Sequence, residues 1–302
     1  MASAVATTAI RLLVSELAGN GGNDEIWRSS YVFAKMINSN YNKLDKASKV
    51  IQGVAQVHKE ATEIKEGKFT VKTYECQADG NIKIVSLMQY LQEVAALHAE
   101  QLGFGFGRLN EIHSYWVLSN LRIEIARLPK WNEVIAIKTW PSGYTRLIAT
   151  REFVGKDQYD CELFRAGSEW MVLDKQKNRP KNLFRLDLGL PKSGPKAISG
   201  ELNRLEPQCS YSNIEQVRVP YSAIDLNGHV NNTEYVRWGI DALRKKFEFK
   251  GNIRFLQVTY LSEVFEGDEL EVLVSSGRNE RFYVLGRKTG GGGNVYLMQI
   301  SC

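Results

Sequence analysis

The apolar residues follow two kinds of pattern, and the same succession of patterns occurs twice along the chain. From Phe69, the strand-like stretch FTVKTYEC precedes IVSLMQYLQEVAALHAEQLGF, whose apolar residues recur at helical spacing. Turn residues then separate four strand-like stretches, which are YWVLSNLRIEIAR, EVIAIKTWPSG, RLIATREFVG and LFRAGSEWMVLD. This succession predicts one long helix followed by an antiparallel set of strands.

The second occurrence follows a stretch rich in Pro, Gly and Ser. A strand-like QVRVPY and a helical NTEYVRWGIDALRKKF precede four more strand candidates, IRFLQVTYLSEV, ELEVLVSSG, RFYVLGRK and NVYLMQIS. Asn231 with Glu234 has capping-box spacing, as has Ser86 with Gln89, at an offset of 145 residues. We therefore predict an internal duplication and an α+β fold of two fused hot-dog domains, each a long helix wrapped by a curved antiparallel sheet.

Changes in composition and in hydrophobic pattern along the chain give the predicted domain boundaries. Residues 1–65 are expected to form an N-terminal extension, 66–190 the first hot-dog domain, 191–210 a linker and 211–302 the second hot-dog domain. The first residues carry one Arg and no basic segment before the apolar stretch, which predicts neither a secretory signal nor a strong transit peptide. No apolar run is long enough to span a bilayer.

Composition and charge narrow the classes of partner. With 39 Lys and Arg against 34 Asp and Glu, the net charge of +5 is mild for 302 residues. We therefore predict no nucleic-acid partner, although a local basic patch could bind an acidic protein. The four cysteines form no CxxC pair and the four histidines no HExxH motif, so we predict no disulfide framework, no metal and no cofactor. The oligomeric state is left open, a homodimer included.

The two halves differ at the entrance to the helix, where the first reads ADGNIKIVS and the second IDLNGHVNN. Only the second has Asp225, Asn227 and His229 at alternating positions, and an extended segment would direct all three side chains the same way. Thioester hydrolysis needs a base that takes a proton from water and a donor that stabilises the carbonyl oxygen. The same residue pattern is also typical of an ordinary turn before a helix, and this alternative stays open.

Several sequence blocks resemble one family. DLNGHVNN and, in order, LQEVAALHAEQLGFGFG, YWVLSNLRIEI, LPKWNEVIAIKTWPSG and SEWMVLDKQKNRP resemble the acyl-ACP thioesterases of plant plastids and bacteria. The resemblance runs from about Phe69 to the C-terminus. It implies an enzyme that hydrolyses the thioester of fatty acyl-acyl carrier protein and so releases the fatty acid. A hot-dog acyl-CoA thioesterase or dehydratase and a non-catalytic acyl-binding protein are the alternatives.

The resemblance also implies roles for particular residues. It makes Asp225, Asn227 and His229 catalytic and adds Glu263, in the segment YLSEV. Where many plant members have a cysteine after this glutamate, the present chain has Val264. We therefore expect attack by water, aided by His229 and Glu263, with Asn227 polarising the thioester and Asp225 orienting the group. Attack by Glu263 itself, through an anhydride, stays open.

Substrate and partner follow from the same resemblance. It implies a fatty acyl substrate whose chain lies in the first domain, and an acidic acyl carrier protein as partner. The candidates for lining the acyl chain are Leu87, Met88, Leu91, Val94 and Ala95. The candidates for a carrier-binding rim are Arg237, Arg244, Lys245 and Lys246, whose alternative is a solvated helix face. The expected compartment is the cytoplasm in a bacterium or the plastid stroma in a plant or alga, and not the secreted space.

Overall fold

A computed structural model describes residues 64–247 and 253–302. The N-terminal extension predicted for residues 1–65 therefore lies almost wholly outside the described residues. The elements of the first half are β1 (Lys65–Thr70), α1 (Ile84–Gln101), α2 (Phe106–Glu111), β2 (Ser114–Ile125), β3 (Val134–Tyr144), β4 (Ala149–Asp157) and β5 (Glu162–Asp174). Those of the second half are β6 (Ser212–Arg218), α3 (Asn232–Lys246), β7 (Phe255–Tyr260), β8 (Glu269–Ser276), β9 (Arg281–Lys288) and β10 (Asn294–Ser301).

The strands form one antiparallel sheet in which the two halves have the same topology. Its ten strands follow the order β1-β3-β4-β5-β2-β7-β10-β9-β8-β6. Read from its outer edge to the centre, the first half runs β1-β3-β4-β5-β2, and the second half, read from the opposite edge to the centre, runs β6-β8-β9-β10-β7, which is the same order of strands. At the centre β2 pairs with β7, for example Asn120 with Thr259 and Arg122 with Gln257. This is the predicted α+β double hot-dog fold, with the two halves joined edge to edge.

The duplication is real, but its predicted offset is wrong. The bridge that closes the loop before α1 joins Cys76 and Ile82, and the bridge before α3 joins Ile224 and Val230, which lie 148 residues further along the chain. The offset of 145 residues was inferred from the capping-box residues Ser86 and Asn231. Because the chain enters α1 through an extended N-cap at Lys83, Ser86 lies inside the first turn and caps nothing.

The cap of α3, in contrast, agrees with the prediction. Asn231 is the N-cap, and its Oδ1 accepts hydrogen bonds from the backbone N–H of Thr233 (3.0 Å) and from the Thr233 hydroxyl (2.8 Å). Glu234 does not complete a capping box, because its carboxylate pairs with Arg237 at 2.9 Å. The start of α3, which follows the candidate catalytic loop directly, is therefore fixed by a side-chain cap.

The helix α1 is held by burial of one face against the sheet. Leu87, Leu91 and Val94 recur at helical spacing and are each at most 3% exposed. Burial of one such side chain stabilises the fold by about 1.5–3 kcal/mol, so these residues anchor the helix. The helix gives way to a turn in which Gly103 adopts a positive φ of 78°. No helix among residues 64–247 and 253–302 is long and apolar enough to cross a membrane.

The segment predicted as a linker lies on the sheet. The side chain of Trp140 donates to the carbonyl of Pro195 (2.9 Å), and that of Asn120 donates to the carbonyl of Leu202 (3.0 Å). The backbone N–H of Leu205 in turn donates to a side-chain oxygen, Oγ1 of Thr259 (3.0 Å). Polar side chains on β2, β3 and β7 thus hold this connection across the junction of the two halves.

Candidate active site

The loop before α3 is a tight turn, and the extended conformation expected for residues 225–229 is wrong. The backbone N–H of Asp225 donates to the carbonyl of His229 (2.8 Å), and that of Gly228 donates to the carbonyl of Asp225 (3.0 Å). Gly228 has a φ of 80°, which is the left-handed conformation that glycine adopts without strain. Glycine at this position therefore lets the chain fold back on itself.

The Asp225 side chain is part of the same turn. Its Oδ1 accepts a hydrogen bond from the backbone N–H of Asn227 at 2.8 Å, the geometry of an Asx turn. Asp225 thus holds the backbone of the loop, whereas the sequence analysis gave it the task of orienting a catalytic group. The side chain of Asn227 is exposed and has no hydrogen-bond partner among the described residues, so it is free to donate to a ligand.

A loop of the same backbone shape occurs in the first half. There the N–H of Gln77 donates to the carbonyl of Asn81 (2.8 Å), the N–H of Gly80 donates to the carbonyl of Gln77 (3.0 Å), and the φ of Gly80 is 82°. Gln77, Asp79 and Asn81 thus occupy the positions of Asp225, Asn227 and His229. The turn is therefore a property of the repeated fold, and only its second copy carries an imidazole.

Glu263 lies beside His229, as the resemblance implies. Oε1 of Glu263 is 3.3 Å from Nδ1 of His229, and the two side chains are 14% and 20% exposed. The backbone N–H of Val230 donates to the carbonyl of Val264 (3.0 Å), which holds the two segments together. A carboxylate at Nδ1 favours the tautomer with the proton on Nδ1, which leaves the Nε2 lone pair to act as a base.

Two aromatic rings complete the surroundings of the imidazole. The rings of Tyr115 and Phe265 each lie with their centroids 5.0 Å from that of His229. The Tyr115 hydroxyl also donates to Oε1 of Glu263 at 2.8 Å. The sequence analysis missed Tyr115, because nothing in the pattern of β2 distinguishes it and its partners lie far along the chain.

Two cavities, of about 380 and 370 Å³, adjoin each other at this site. The larger cavity extends along α1, where Ala95, Ala96 and Ala99 leave room beside the helix. The smaller cavity contains His229 and Glu263. The residues that line both are Gln92, Tyr115, Trp116, Trp170, Asp225 and Asn227. An elongated apolar ligand in the larger cavity would therefore end beside the imidazole.

Of the five residues predicted to line an acyl chain, one borders a cavity described above. Ala95 lines the larger cavity, but the other four candidates, Leu87, Met88, Leu91 and Val94, are in the packed core and line neither cavity. The physical reason is the rotation of α1: the large apolar side chains face the sheet, and the small ones on the adjacent stripe leave the space. Helical periodicity identifies the buried face but does not distinguish a filled site from an open one.

Gln92 and Arg151 are among the polar residues that line the larger cavity. Oε1 of Gln92 is buried and has no hydrogen-bond partner among the described residues, so it can accept a hydrogen bond from a ligand. The guanidinium of Arg151, 6% exposed, donates to Nδ1 of His98 (3.0 Å) and to Oγ1 of Thr139 (3.2 Å). Burial lowers the pKa of Arg151 to about 10. His98, 2% exposed, is thus a buried and hydrogen-bonded histidine of α1.

A basic segment adjoins the smaller cavity. Asn178 and Pro180 line that cavity, and the exposed basic residues around them are Lys175, Lys177, Arg179 and Arg185. The basic residues predicted as a carrier-binding rim lie on α3 and do not adjoin this cavity. Arg237 pairs with Glu234 (2.9 Å) and Lys245 with Glu215 (2.7 Å), and neither these two nor Arg244 and Lys246 line either of the two cavities described above.

No cysteine belongs to the site. Cys76, Cys161, Cys209 and Cys302 are all free thiols, and none of them lines either cavity. Val264, which follows Glu263, is fully buried. The groups that line the smaller cavity and could take part in chemistry are therefore an imidazole, two carboxylates, amides, three phenols and the hydroxyl of Ser262.

Comparison with solved structures supports the fold. A crystal structure of an acyl-ACP thioesterase from Bacteroides thetaiotaomicron is 25% identical, with a TM-score of 0.71 over 80% of this chain and 98% of that one. The 12:0-ACP thioesterase from Umbellularia californica is 20% identical, with a TM-score of 0.70 over 79% of this chain and 96% of that one. Both likenesses extend over the two halves of the sheet.

Comparison of sequences identifies the family. Oleoyl-acyl carrier protein thioesterase 1, chloroplastic, of Arabidopsis thaliana is 24% identical over 229 residues, which are 69% of this chain and 63% of that protein. The chain thus spans less than two thirds of the length of this relative. The family model of the acyl-ACP thioesterase N-terminal domain matches residues 62–185, and that of the C-terminal domain matches residues 207–295. The chain therefore belongs to the acyl-ACP thioesterase family.

Proposed function

We propose that this protein hydrolyses the thioester of fatty acyl-acyl carrier protein, which releases a free fatty acid and ends fatty acid synthesis on that carrier. The observation that supports this most directly is the pair of His229 and Glu263, 3.3 Å apart, in a cavity that adjoins the largely apolar cavity along α1. An imidazole backed by a carboxylate is a general base, and the cavity beside it suits an acyl chain.

The reaction needs only water and the residues of the site. His229 takes a proton from water through Nε2, and the resulting hydroxide attacks the carbonyl carbon of the thioester. The carbon–sulfur bond then breaks, and the imidazolium returns the proton to the departing thiolate, so the products are a fatty acid and the thiol of the carrier. Glu263 stabilises the imidazolium in between, as an oriented carboxylate does in other hydrolases.

Asn227 and Asp225 serve the same step. As water attacks, the carbonyl oxygen gains negative charge, and the free amide of Asn227 is available to donate a hydrogen bond to it. Asp225 fixes the backbone of Asn227 through the 2.8 Å bond in the turn. Because Glu263 already accepts from Tyr115 and lies next to His229, we assign it to orientation and charge stabilisation and not to nucleophilic attack.

The division of labour between the halves follows from the cavities. We propose that the first hot-dog domain, residues 66–190, binds the acyl chain and that the second, residues 211–302, supplies the base. The stripe of Ala95, Ala96 and Ala99 supports this, because it borders the larger cavity on a helix of the first domain. Each methylene buried there contributes about 0.8 kcal/mol to binding, so the length of the cavity selects the chain.

The carrier would approach over the basic segment of residues 175–185. Acyl carrier protein is acidic, and the exposed Lys177 and Arg179 flank Asn178, which lines the cavity that contains His229. Opposite charges steer such an encounter and orient the bound carrier. The compartment is that of the carrier. The chloroplastic relatives support the plastid stroma for a plant or alga, and a bacterial source would give the cytoplasm.

A direct assay tests this function. The full chain is incubated with acyl carrier protein loaded with saturated acyl groups of several lengths, and free fatty acid and free carrier thiol are measured. We expect the two products in equal amounts and a loss of turnover of about 10²–10⁴-fold in His229→Ala. The control is His113→Asn, which changes an exposed histidine whose φ of 50° asparagine tolerates.

The same assay distinguishes the alternatives. Faster hydrolysis of acyl-CoA than of acyl-ACP would make this a CoA thioesterase. Loss of water from a 3-hydroxyacyl-ACP without release of thiol would make it a dehydratase. Tight binding of acyl-ACP with no product from any chain length would make it a binding protein and would overturn the proposal.

A further inference from the structure

Tyr115 connects the two halves of the protein at the candidate site. It stands on β2 in the first half, and its hydroxyl donates to Oε1 of Glu263, in the second half, at 2.8 Å. The same oxygen lies 3.3 Å from Nδ1 of His229. One carboxylate oxygen therefore meets two donors that come from different halves of the chain.

Tyr115 contacts both members of the pair. Its ring packs against the imidazole of His229, with the centroids 5.0 Å apart and the planes at 48°. Burial and the hydrogen bond to Glu263 raise the pKa of the Tyr115 hydroxyl well above its usual range, so the group remains a proton donor at neutral pH. A phenol of this kind restricts the carboxylate and the imidazole at the same time.

The position of Tyr115 also relates the two cavities. It lines the larger cavity along α1 as well as the smaller one that contains His229 and Glu263. A ligand that extends from one cavity to the other must pass this side chain. The hydrogen bond therefore lies next to the path of the substrate.

We propose that Tyr115 is a positioning residue that acts through Glu263: its hydroxyl holds the carboxylate against Nδ1 of His229 and so keeps Nε2 directed at the thioester. This inference rests on the proposed function. It makes the first half a contributor to the geometry of the base in addition to its place beside the acyl chain. Preorganisation of this kind lowers the barrier because the groups need not be ordered during the reaction.

The variant Tyr115→Phe tests the proposal, because it removes the hydroxyl and keeps the ring against His229. We expect kcat for acyl-ACP to fall about tenfold, the effect of losing one hydrogen bond to a charged group, with little change in KM. The acidic limb of the kcat/KM profile should also move, because the variant removes a hydrogen-bond donor from the carboxylate that contacts the base.

The chain offers a closely matched control. The hydroxyl of Tyr90 also donates to a carboxylate, that of Glu75, and neither residue lines a cavity. Tyr90→Phe therefore removes the same kind of bond in the same half of the protein, and we expect it to leave kcat and the pH profile unchanged. Melting temperatures of both variants show whether either has lost its fold.

Two further measurements separate positioning from a merely structural role. In a double-mutant cycle, Tyr115→Phe should cost little in a Glu263→Gln background, since the hydroxyl acts through the carboxylate. In an NMR titration, which needs no turnover, the curve of His229 should differ between Tyr115→Phe and the wild type, because the hydroxyl acts on the carboxylate that contacts the imidazole. With four histidines in the chain, His229→Ala assigns the signal.

The outcomes are distinct. Failure of the wild type to release fatty acid would refute the proposed function, and the NMR titration would still decide the role of Tyr115. A folded Tyr115→Phe variant with wild-type kcat, an unmoved acidic limb and an unmoved His229 titration would overturn the inference.

Discussion

Oε1 of Glu263 lies 3.3 Å from Nδ1 of His229, although the first follows a strand and the second precedes a helix. The backbone bond from Val230 to Val264, 3.0 Å long, keeps these two segments adjacent whatever the side chains do. The pair thus depends on the course of the main chain. Substitution of either side chain should leave the fold in place, which makes the site suitable for kinetic tests.

Isotopically labelled water can reveal a covalent intermediate on Glu263. If water is the nucleophile, a single turnover in H₂¹⁸O places the label in the released fatty acid and leaves the enzyme unlabelled. We expect Glu263→Gln, which keeps the shape and removes the charge, to lower kcat by about 10²–10⁴-fold. Mass spectrometry that finds ¹⁸O in the peptide containing Glu263 would establish the anhydride route instead.

Asp225 should tolerate amidation better than truncation. Asparagine retains the Oδ1 that accepts the N–H of Asn227, so Asp225→Asn should keep the turn and most of the turnover. Asp225→Ala loses that bond, and we expect a loss of about 1 kcal/mol in the free energy of unfolding together with lower kcat. Urea denaturation and steady-state kinetics measure the two effects. Equal inactivation by both variants would instead mean that the negative charge itself takes part.

Reversal of charge in the basic segment should weaken binding of the carrier. We expect Lys177→Glu with Arg179→Glu to raise KM for acyl-ACP about tenfold at low ionic strength, with kcat little changed. Added salt should shrink this difference, because it screens exposed charges. The matched control is Arg244→Glu with Lys246→Glu, which reverses two charges on α3 away from both cavities. A larger effect in the control would move the carrier surface to α3.

Gln92 should show opposite effects on stability and activity. A buried acceptor without a partner destabilises the folded protein, so Gln92→Met should leave the melting temperature unchanged or raise it. We expect kcat/KM for acyl-ACP to fall several-fold, roughly the effect of one lost neutral hydrogen bond. Gln89→Met, on the exposed face of the same helix, is the control. Unaltered kinetics in Gln92→Met would show that the amide does not meet the substrate.

Hydrophobic periodicity predicted the helices and strands because burial against the core determines which positions are apolar. The apolar spacing of Leu87, Leu91 and Val94 requires a helix against a sheet, and that is where these residues lie. The N-cap at Asn231 was predictable too, since asparagine is a preferred N-cap residue and Asn231 directly precedes the helical pattern. The offset between the halves was not predictable in this way. Ser86 is a residue type that often caps a helix, but here it lies inside the first turn and does not have the backbone conformation of an N-cap.

The site was predictable only where local sequence encodes it. The turn of residues 225–229 brings Asp225, Asn227 and His229 to one cavity, though through a positive φ at Gly228 and not through an extended strand. Glu263 required the family resemblance. Tyr115 depends on how the first half lies against the second, and no pattern within a single strand carries that information.

The turn that presents His229 has a counterpart in the first half, formed by Gln77 to Asn81, that keeps the same two backbone hydrogen bonds and carries no imidazole. Evolution can therefore alter the chemistry of such a loop without having to redesign its architecture. A descendant that lost its imidazole would keep the turn, and one that gained a new side chain there could begin from a finished scaffold.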